Sequence, residues 1–179
     1  ASGSPRRKAL LKNCNLSFKI VVPEIDEEIR SGEGPQELVE RLARSKAGQI
    51  ADQFPGRLVL GADTVVVLGD RILGKPASQD EALEMLRLLQ DREHSVWGGC
   101  AFICRERGLD YVESHETKVR MIALSDELIR RYIDSGEPMD KAGAYAIQGL
   151  GSQFISGISG SYSNVVGLNV AAVASALRR

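Results

Sequence analysis

The sequence predicts a mixed α/β fold, and three features of its 179 residues carry this prediction. Segments with helical spacing of apolar residues alternate with β-branched runs such as LVLGADTVVVL. Capping residues mark the starts of several helices, and a two-residue turn marks a hairpin. No internal repeat, low-complexity tract or linker divides the chain. We therefore expect one twisted sheet with helices packed on it, as one domain or as two small lobes that share a cleft.

Five segments predict helices, and most of them begin with a recognisable start signal. Ser4-Pro5 supplies an N-cap and a proline at the first helical position. Gly34-Pro35 begins the second helix, Ser78 with Glu81 forms a capping box for the third, and Ser125 caps the fourth. The predicted helices span residues 5–13, about 35–50, about 79–89, about 126–134 and 169–179.

Five runs predict strands, and a tight turn joins two of them. FKIVVP at residues 18–23 is the first strand, and the acidic, glycine-containing loop EIDEEIRSGEGP follows it. The run at residues 58–68 turns at Gly69-Asp70 into RILGKP, which is typical of a hairpin. HSVWGGCAFIC and YVESHETKVRMIAL supply two more strands. The glycine-rich segment 140–168 predicts tight turns.

Composition disfavours two classes of partner. Lysine and arginine number 23 against 24 acids, a net charge of −1, and only nine residues are aromatic, so we expect no stable nucleic-acid partner. No apolar run approaches the ~20 residues of a membrane span, and no signal peptide is visible. Three cysteines without a CxxC pair indicate a reduced, cytoplasmic protein. A start at Ala1, without methionine, indicates that a few N-terminal residues are absent.

Two charged residues interrupt apolar patterns. Lys46 lies in the middle of the apolar face of the second helix, where it must snorkel to water, pair with an acid or bind a ligand. That face comprises Leu38, Val39, Leu42, Ala43, Ala47 and Ile50. Asp63 lies inside the β-branched run beside Gly61, which indicates a bulge or a close backbone approach. The Asp63 carboxylate is either a loop cap or a positioned base or metal ligand.

The N-terminal segment ASGSPRR places two arginines at the positive end of a helix dipole, where cations are unfavourable. An anion nearby would compensate, and the alternative is a frayed basic tail. Lys75 and Glu27 are, by residue type alone, ordinary exposed charges. Gln148, between Ile147 and Gly149, either presents its amide to a base edge or belongs to a tight turn. Neither a Walker motif nor a Rossmann fingerprint is present.

Five motifs resemble, in this order and spacing, the Maf family of nucleoside triphosphate pyrophosphatases: ASGSPRR, GADTVV, GKP, EPMDKAGAYAIQG and GSYSNVVGL. The resemblance covers essentially the whole chain. It implies one Maf-like domain over residues 1–179, with a two-lobed Maf/ITPase-like fold, a central twisted mixed sheet, flanking helices and a cleft. It also implies a cytoplasmic homodimer that hydrolyses nucleoside triphosphates to monophosphate and pyrophosphate with Mg²⁺ or Mn²⁺, and a link to cell-division arrest.

The resemblance assigns roles by position. The residues around the triphosphate are Ser2, Arg7, Lys46 and Lys75, and both lysines also count among the catalytic residues. Asp63 corresponds to the proton acceptor, and Glu27 to an acid that helps Asp63 with metal or water. The positions that separate subgroups are Arg6, Thr64 and Gln148, which here match the subgroup that prefers dTTP and UTP. Two departures are Gly98, where threonine or serine is common, and Asn169, where proline is usual.

The mechanism that these residues allow is attack of a water molecule on the α-phosphorus. Asp63, aided by a metal ion, would deprotonate or orient that water, and the cations would hold the departing pyrophosphate. Modified pyrimidine triphosphates share the hydrogen-bonding edge of dTTP and UTP and are further expected substrates. The alternative is a nucleotide-binding regulator without turnover, which could dispense with Asp63.

Overall fold

The sheet of this protein has five strands in the order β2-β1-β3-β4-β5 within residues 1–178, which the computed structural model describes. The strands are β1 (Val59–Leu68), β2 (Arg71–Leu73), β3 (Glu93–Cys104), β4 (Leu109–Met121) and β5 (Ile155–Ser159). β1 and β2 pair antiparallel through a two-residue turn, which confirms the predicted hairpin. β4 and β5 are also antiparallel, with a register shift between Arg120 and Met121.

The helices begin where the capping residues predict. They are α1 (Pro5–Asn13), α2 (Pro35–Gln53), α3 (Gln79–Leu89), α4 (Asp126–Asp134), α5 (Tyr162–Val166) and α6 (Val170–Ala176). The side chains of Ser4, Ser78 and Ser125 each accept a hydrogen bond from a backbone N–H in the first turn. Asn169 caps α6 by accepting from Ala172 N at 3.2 Å. The α/β class of the prediction is confirmed.

The predicted strand at residues 18–23 is wrong. The segment has no regular secondary structure, because no neighbouring strand within residues 1–178 pairs with its backbone. Other bounds shift by a few residues: α2 extends to Gln53, and the last helix ends at Ala176. Arg179, which the prediction placed in that helix, lies outside the described residues.

The glycine-rich segment forms more than turns. It contains two short 3₁₀ helices, Ala142–Ala144 and Gly149–Phe154, together with the strand β5 and the helix α5. A further 3₁₀ helix, Glu137–Asp140, ends at its first residue. Gly98 is buried within β3. Within residues 1–178, no helix combines the length and the apolar character that a membrane span requires.

The chain divides into two compact units. The first comprises residues 1–64, 97–115 and 167–178, and the second comprises Val65–Val96 and Glu116–Val166. In the second unit, α3 and α4 pack around the fully buried Phe154 and Leu86. In the first unit, α2 packs close against the strands because Gly61 and Gly99 have no side chains. A Cβ at either position would overlap the α2 backbone. This close approach brings α2 side chains onto β1.

Candidate active site

A lysine and an aspartate form a buried ion pair in the first unit. Lys46 Nζ lies 2.6 Å from Asp63 Oδ1 and 2.7 Å from Glu27 Oε1. The Lys46 and Asp63 side chains are 9% and 11% exposed, whereas Glu27 is 55% exposed. Of the three alternatives that the sequence leaves for Lys46, the structure shows pairing with acids.

The alternation of side chains along β1 explains how Asp63 meets Lys46. Val59 belongs to the apolar cluster formed with α2, and Gly61 lies against the α2 backbone. Asp63 follows at the same spacing of two and therefore faces α2 as well. Ala62, by contrast, belongs to a different apolar cluster that includes residues of the last helix. β1 can bury the Asp63 carboxylate because Lys46 of α2 supplies the positive charge that pairs with it.

The acidic loop that carries Glu27 is tied to α2 on both sides of this residue. Gln49 Oε1 accepts from Glu24 N at 2.8 Å, and Gln49 Nε2 donates to Glu24 O at 2.7 Å. Arg41 donates to Glu28 O at 2.9 Å and pairs with the Glu33 carboxylate. The Arg41 hydrogen bond lowers the pKa of Glu33 to about 2. Sequence reasoning missed Arg41 and Gln49, although Gln49 lies at helical spacing i+3 from Lys46.

Arg7 connects three segments of the first unit. Its Nε donates to Gly167 O at 2.8 Å, Nη1 donates to Ala62 O at 2.8 Å and Ser2 Oγ at 3.2 Å, and Nη2 donates to Thr64 Oγ1 at 3.0 Å. These contacts use four of the five guanidinium N–H groups. Burial lowers the pKa of Arg7, and the charge of Asp63 opposes that effect. Arg7 is therefore mainly a bridge between segments, with one N–H left for an anion.

Ser2 and Thr64 differ in what their hydroxyl groups can still do. Ser2 Oγ accepts from Ser4 N and from Arg7 Nη1, both at 3.2 Å, so its own O–H remains available as a donor. Thr64 accepts from Arg7 and donates to Gly167 O at 3.2 Å, so its hydroxyl is already used in both senses. The structure thus brings together Ser2, Arg7, Glu27, Lys46, Asp63 and Thr64 in the first unit.

The remaining predicted site residues have distinct surroundings. Lys75 and Gln148 are exposed residues of the second unit. Gln148 is the N-cap residue of the 3₁₀ helix Gly149–Phe154, but its side chain makes no capping hydrogen bond. Arg6 lies in the first turn of α1 and is partly buried.

The two carboxylates of the site, Glu27 and Asp63, are of the ligand type that divalent cations such as Mg²⁺ prefer. Residues 1–178 contain no group of three or more His, Cys, Asp or Glu side chains that would hold a metal by themselves. Glu27 and Asp63 each offer a hard carboxylate of which one oxygen contacts Lys46. Mg²⁺ is commonly bound by one or two carboxylates, with substrate phosphates and water as its other ligands. Two carboxylates satisfy that requirement.

Comparison with known proteins identifies the family of this chain. The family model described as Maf-like protein matches residues 1–179. A dTTP/UTP pyrophosphatase of Desulforamulus reducens is 48% identical over 178 residues, which cover 99% of this chain and 93% of the relative. Proteins of the same name from Symbiobacterium thermophilum and Bacillus cereus are 50% identical over 169 residues and 45% identical over 179 residues. These alignments cover 94% and 100% of this chain, and 86% and 93% of the relatives. The chain belongs to the Maf family.

Proposed function

We propose that this chain is a nucleoside triphosphate pyrophosphatase that converts dTTP and UTP to the monophosphate and pyrophosphate. Modified pyrimidine triphosphates with the same hydrogen-bonding edge are included in the proposal. Membership of the Maf family and relatives named dTTP/UTP pyrophosphatase support the reaction class. The observation that carries the proposal is the buried Asp63 carboxylate, held by Lys46 at 2.6 Å beside Glu27.

In the proposed reaction, Asp63 acts on a water molecule. Lys46 holds Oδ1 of Asp63 and orients the carboxylate, so that Oδ2 accepts the proton of the water. The water oxygen forms a bond to the α-phosphorus, and the bond from this phosphorus to the α,β-bridging oxygen breaks. Pyrophosphate departs with the electron pair of that bond. The protein needs no covalent nucleophile for this step.

The triphosphate is bound by donors that the structure leaves available. Ser2 offers its O–H, Arg7 its remaining N–H, and Lys46 its positive charge. Lys75 joins them on the strength of the family resemblance. Most of the contribution of Arg7 is indirect, because its other N–H groups hold Ala62, Thr64 and Gly167 in place.

Glu27 and Asp63 are the residues that would hold Mg²⁺ or Mn²⁺. The cation, when bound, would neutralise phosphate charge and polarise the reacting phosphoryl group. Glu27 suits this role because its side chain is half exposed and lies on the solvent side of the ion pair. Hydrogen bonds from both flanks of its loop to α2 hold it in position.

The base is read by Gln148 in this proposal. A primary amide both donates and accepts, and it therefore matches the N–H and carbonyl edge that uracil and thymine share. Thr64 contributes by holding Arg7, since its hydroxyl is already engaged. Arg6 completes the specificity positions on the strength of the resemblance.

The test is product analysis with dTTP, UTP and purine triphosphates in Mg²⁺ and in Mn²⁺. We expect equal amounts of monophosphate and pyrophosphate from dTTP and UTP. Asp63→Asn should lower kcat by about 10²–10⁴, the typical contribution of a general base. Asp52→Asn is the matched control, because Asp52 is also an aspartate in an ion pair, 2.7 Å from Arg105, but its side chain is 65% exposed. It should leave kcat unchanged.

Two results would contradict the proposal. Release of inorganic phosphate and a nucleoside diphosphate would place the cleavage at the wrong bond. Tight nucleotide binding without any metal-dependent turnover would favour the regulator instead. The homodimer and the link to cell-division arrest stay predictions; light scattering of the purified protein tests the first.

A further inference from the structure

The 3₁₀ helix that begins after Gln148 is capped by a residue distant in the chain. The first N–H groups of a helix need acceptors, which the N-cap side chain usually supplies. Gln148 does not supply one. Instead, Leu150 N and Gly151 N each donate to the carboxylate of Glu137 at 3.0 Å, one to each oxygen.

Glu137 also reaches the other side of Gln148, through a tyrosine. The Tyr132 hydroxyl donates to Glu137 Oε1 at 2.9 Å and accepts from Ala146 N at 3.1 Å. Burial acts to raise the pKa of Glu137, but the hydrogen bonds from Gly151 and Leu150 outweigh it and hold the pKa below its usual value. Glu137 is thus charged at neutral pH. It accepts directly from the backbone after Gln148, and the Tyr132 hydroxyl connects it to the backbone before Gln148.

The turn closes on this carboxylate because two positions lack side chains. Gly149 has φ +69°, and a Cβ there would overlap Glu137 Oε2. A Cβ at Gly151 would overlap Ala146 O and lie 2.7 Å from the Tyr132 hydroxyl oxygen. The two glycines therefore shape the turn around the Glu137–Tyr132 pair.

We propose that Glu137 is a positioning residue that sets base specificity by acting through Gln148. The inference rests on the proposed function, in which the Gln148 amide binds the base. Glu137 has two effects. It fixes the backbone that carries Gln148, and it satisfies the helix N–H groups that would otherwise attract the Gln148 amide. The amide is thereby kept in one orientation for the ring N–H and carbonyl of uracil and thymine, an order of donor and acceptor that cytosine reverses.

The test is the Glu137→Gln variant, which keeps the size of the side chain but places an NH₂ group against a backbone N–H. We expect KM for UTP to rise about tenfold, because the variant loses one hydrogen bond that positions the base-binding turn. We expect kcat to change less than about threefold. The preference for dTTP over dCTP should fall by a similar factor. Gln153→Ala is the control, because Gln153 lies on the same 3₁₀ helix and, among the residues that the structure describes, donates only to Leu150 O.

A double-mutant cycle separates positioning from a general loss of stability. Gln148→Ala should raise KM, and adding Glu137→Gln to it should change KM no further. Additive effects, or a fall in kcat alone, would overturn the inference. Should Glu137→Gln fail to fold, Tyr132→Phe takes its place, because the ring that packs edge-on against Phe154 at 4.9 Å is kept and only the hydroxyl is lost.

The two proposals fail in different ways. If the wild-type protein releases no pyrophosphate from dTTP or UTP, the proposed function fails and the role of Glu137 falls with it. If the wild type is active and selective but Glu137→Gln keeps the same KM and the same preference for dTTP over dCTP, only the role of Glu137 is refuted.

Discussion

Replacing Lys46 by methionine tests whether Asp63 depends on its cation. Methionine has a similar length but no charge, so the apolar face of α2 stays filled while the ion pair is removed. The Asp63 side chain is 11% exposed, far less than the half-exposed side chain of Glu27. The variant therefore leaves one carboxylate buried without a partner.

The expected cost follows from this difference in burial. Removing one partner of a buried ion pair destabilises a protein by about 3–5 kcal/mol. Asp63→Asn should cost less, about 1–2 kcal/mol, because Lys46 keeps Glu27 at 2.7 Å. At about 2–4 °C per kcal/mol for a chain of this size, Lys46→Met should lower Tm by roughly 6–20 °C.

Thermal and urea unfolding of the wild type, both single variants and the double variant measure these costs. The double variant should be more stable than Lys46→Met alone, because no buried charge then lacks a partner. Lys118→Met is the control: its ion pair with Glu93 is 3.7 Å long and half exposed, so the change should stay within about 0.5 kcal/mol. An unfolding free energy of Lys46→Met equal to that of the wild type would refute the reasoning.

Three further predictions concern other parts of the molecule. Burial lowers the pKa of His94 from 6.5 to about 4, so the unfolded chain binds a proton first as the pH falls. The contribution of His94 to the free energy of unfolding should be complete above pH 6.5 and decrease by about 3 kcal/mol towards pH 4. Over this range, Tm should fall less for His94→Gln than for the wild type. Gly61→Ala would press a Cβ into the α2 backbone and should cost about 3 kcal/mol in urea unfolding, whereas Gly74→Ala, with open space around it, should cost little. Burial and the nearby Glu113 raise the pKa of Cys100 to about 12, and Cys14 is the exposed cysteine, so a thiol reagent at neutral pH should modify one thiol in the native protein and three after unfolding.

Local chemistry made much of the fold predictable. A cap bonds to an N–H three residues away, and a two-residue turn joins adjacent strands, so Ser4, Ser78, Ser125 and the β1–β2 hairpin were visible in the sequence. The unusual position of Lys46 on an apolar face was visible for the same reason, because helical periodicity relates it to its neighbours on one helix. The strand at residues 18–23 was wrong because a strand also needs a partner, and partnership is not a local property.

The sequence by itself therefore determined the class of the fold, the family and the identities of the charged residues that violate an apolar pattern. Only the tertiary structure decided what those residues contact: Lys46 with Asp63, Arg7 with three separate segments, and Glu137 with the turn after Gln148. The physical reason is distance along the chain. Arg7 and Gly167 are 160 positions apart, and no periodic pattern encodes a hydrogen bond that only the folding of the whole unit brings within reach.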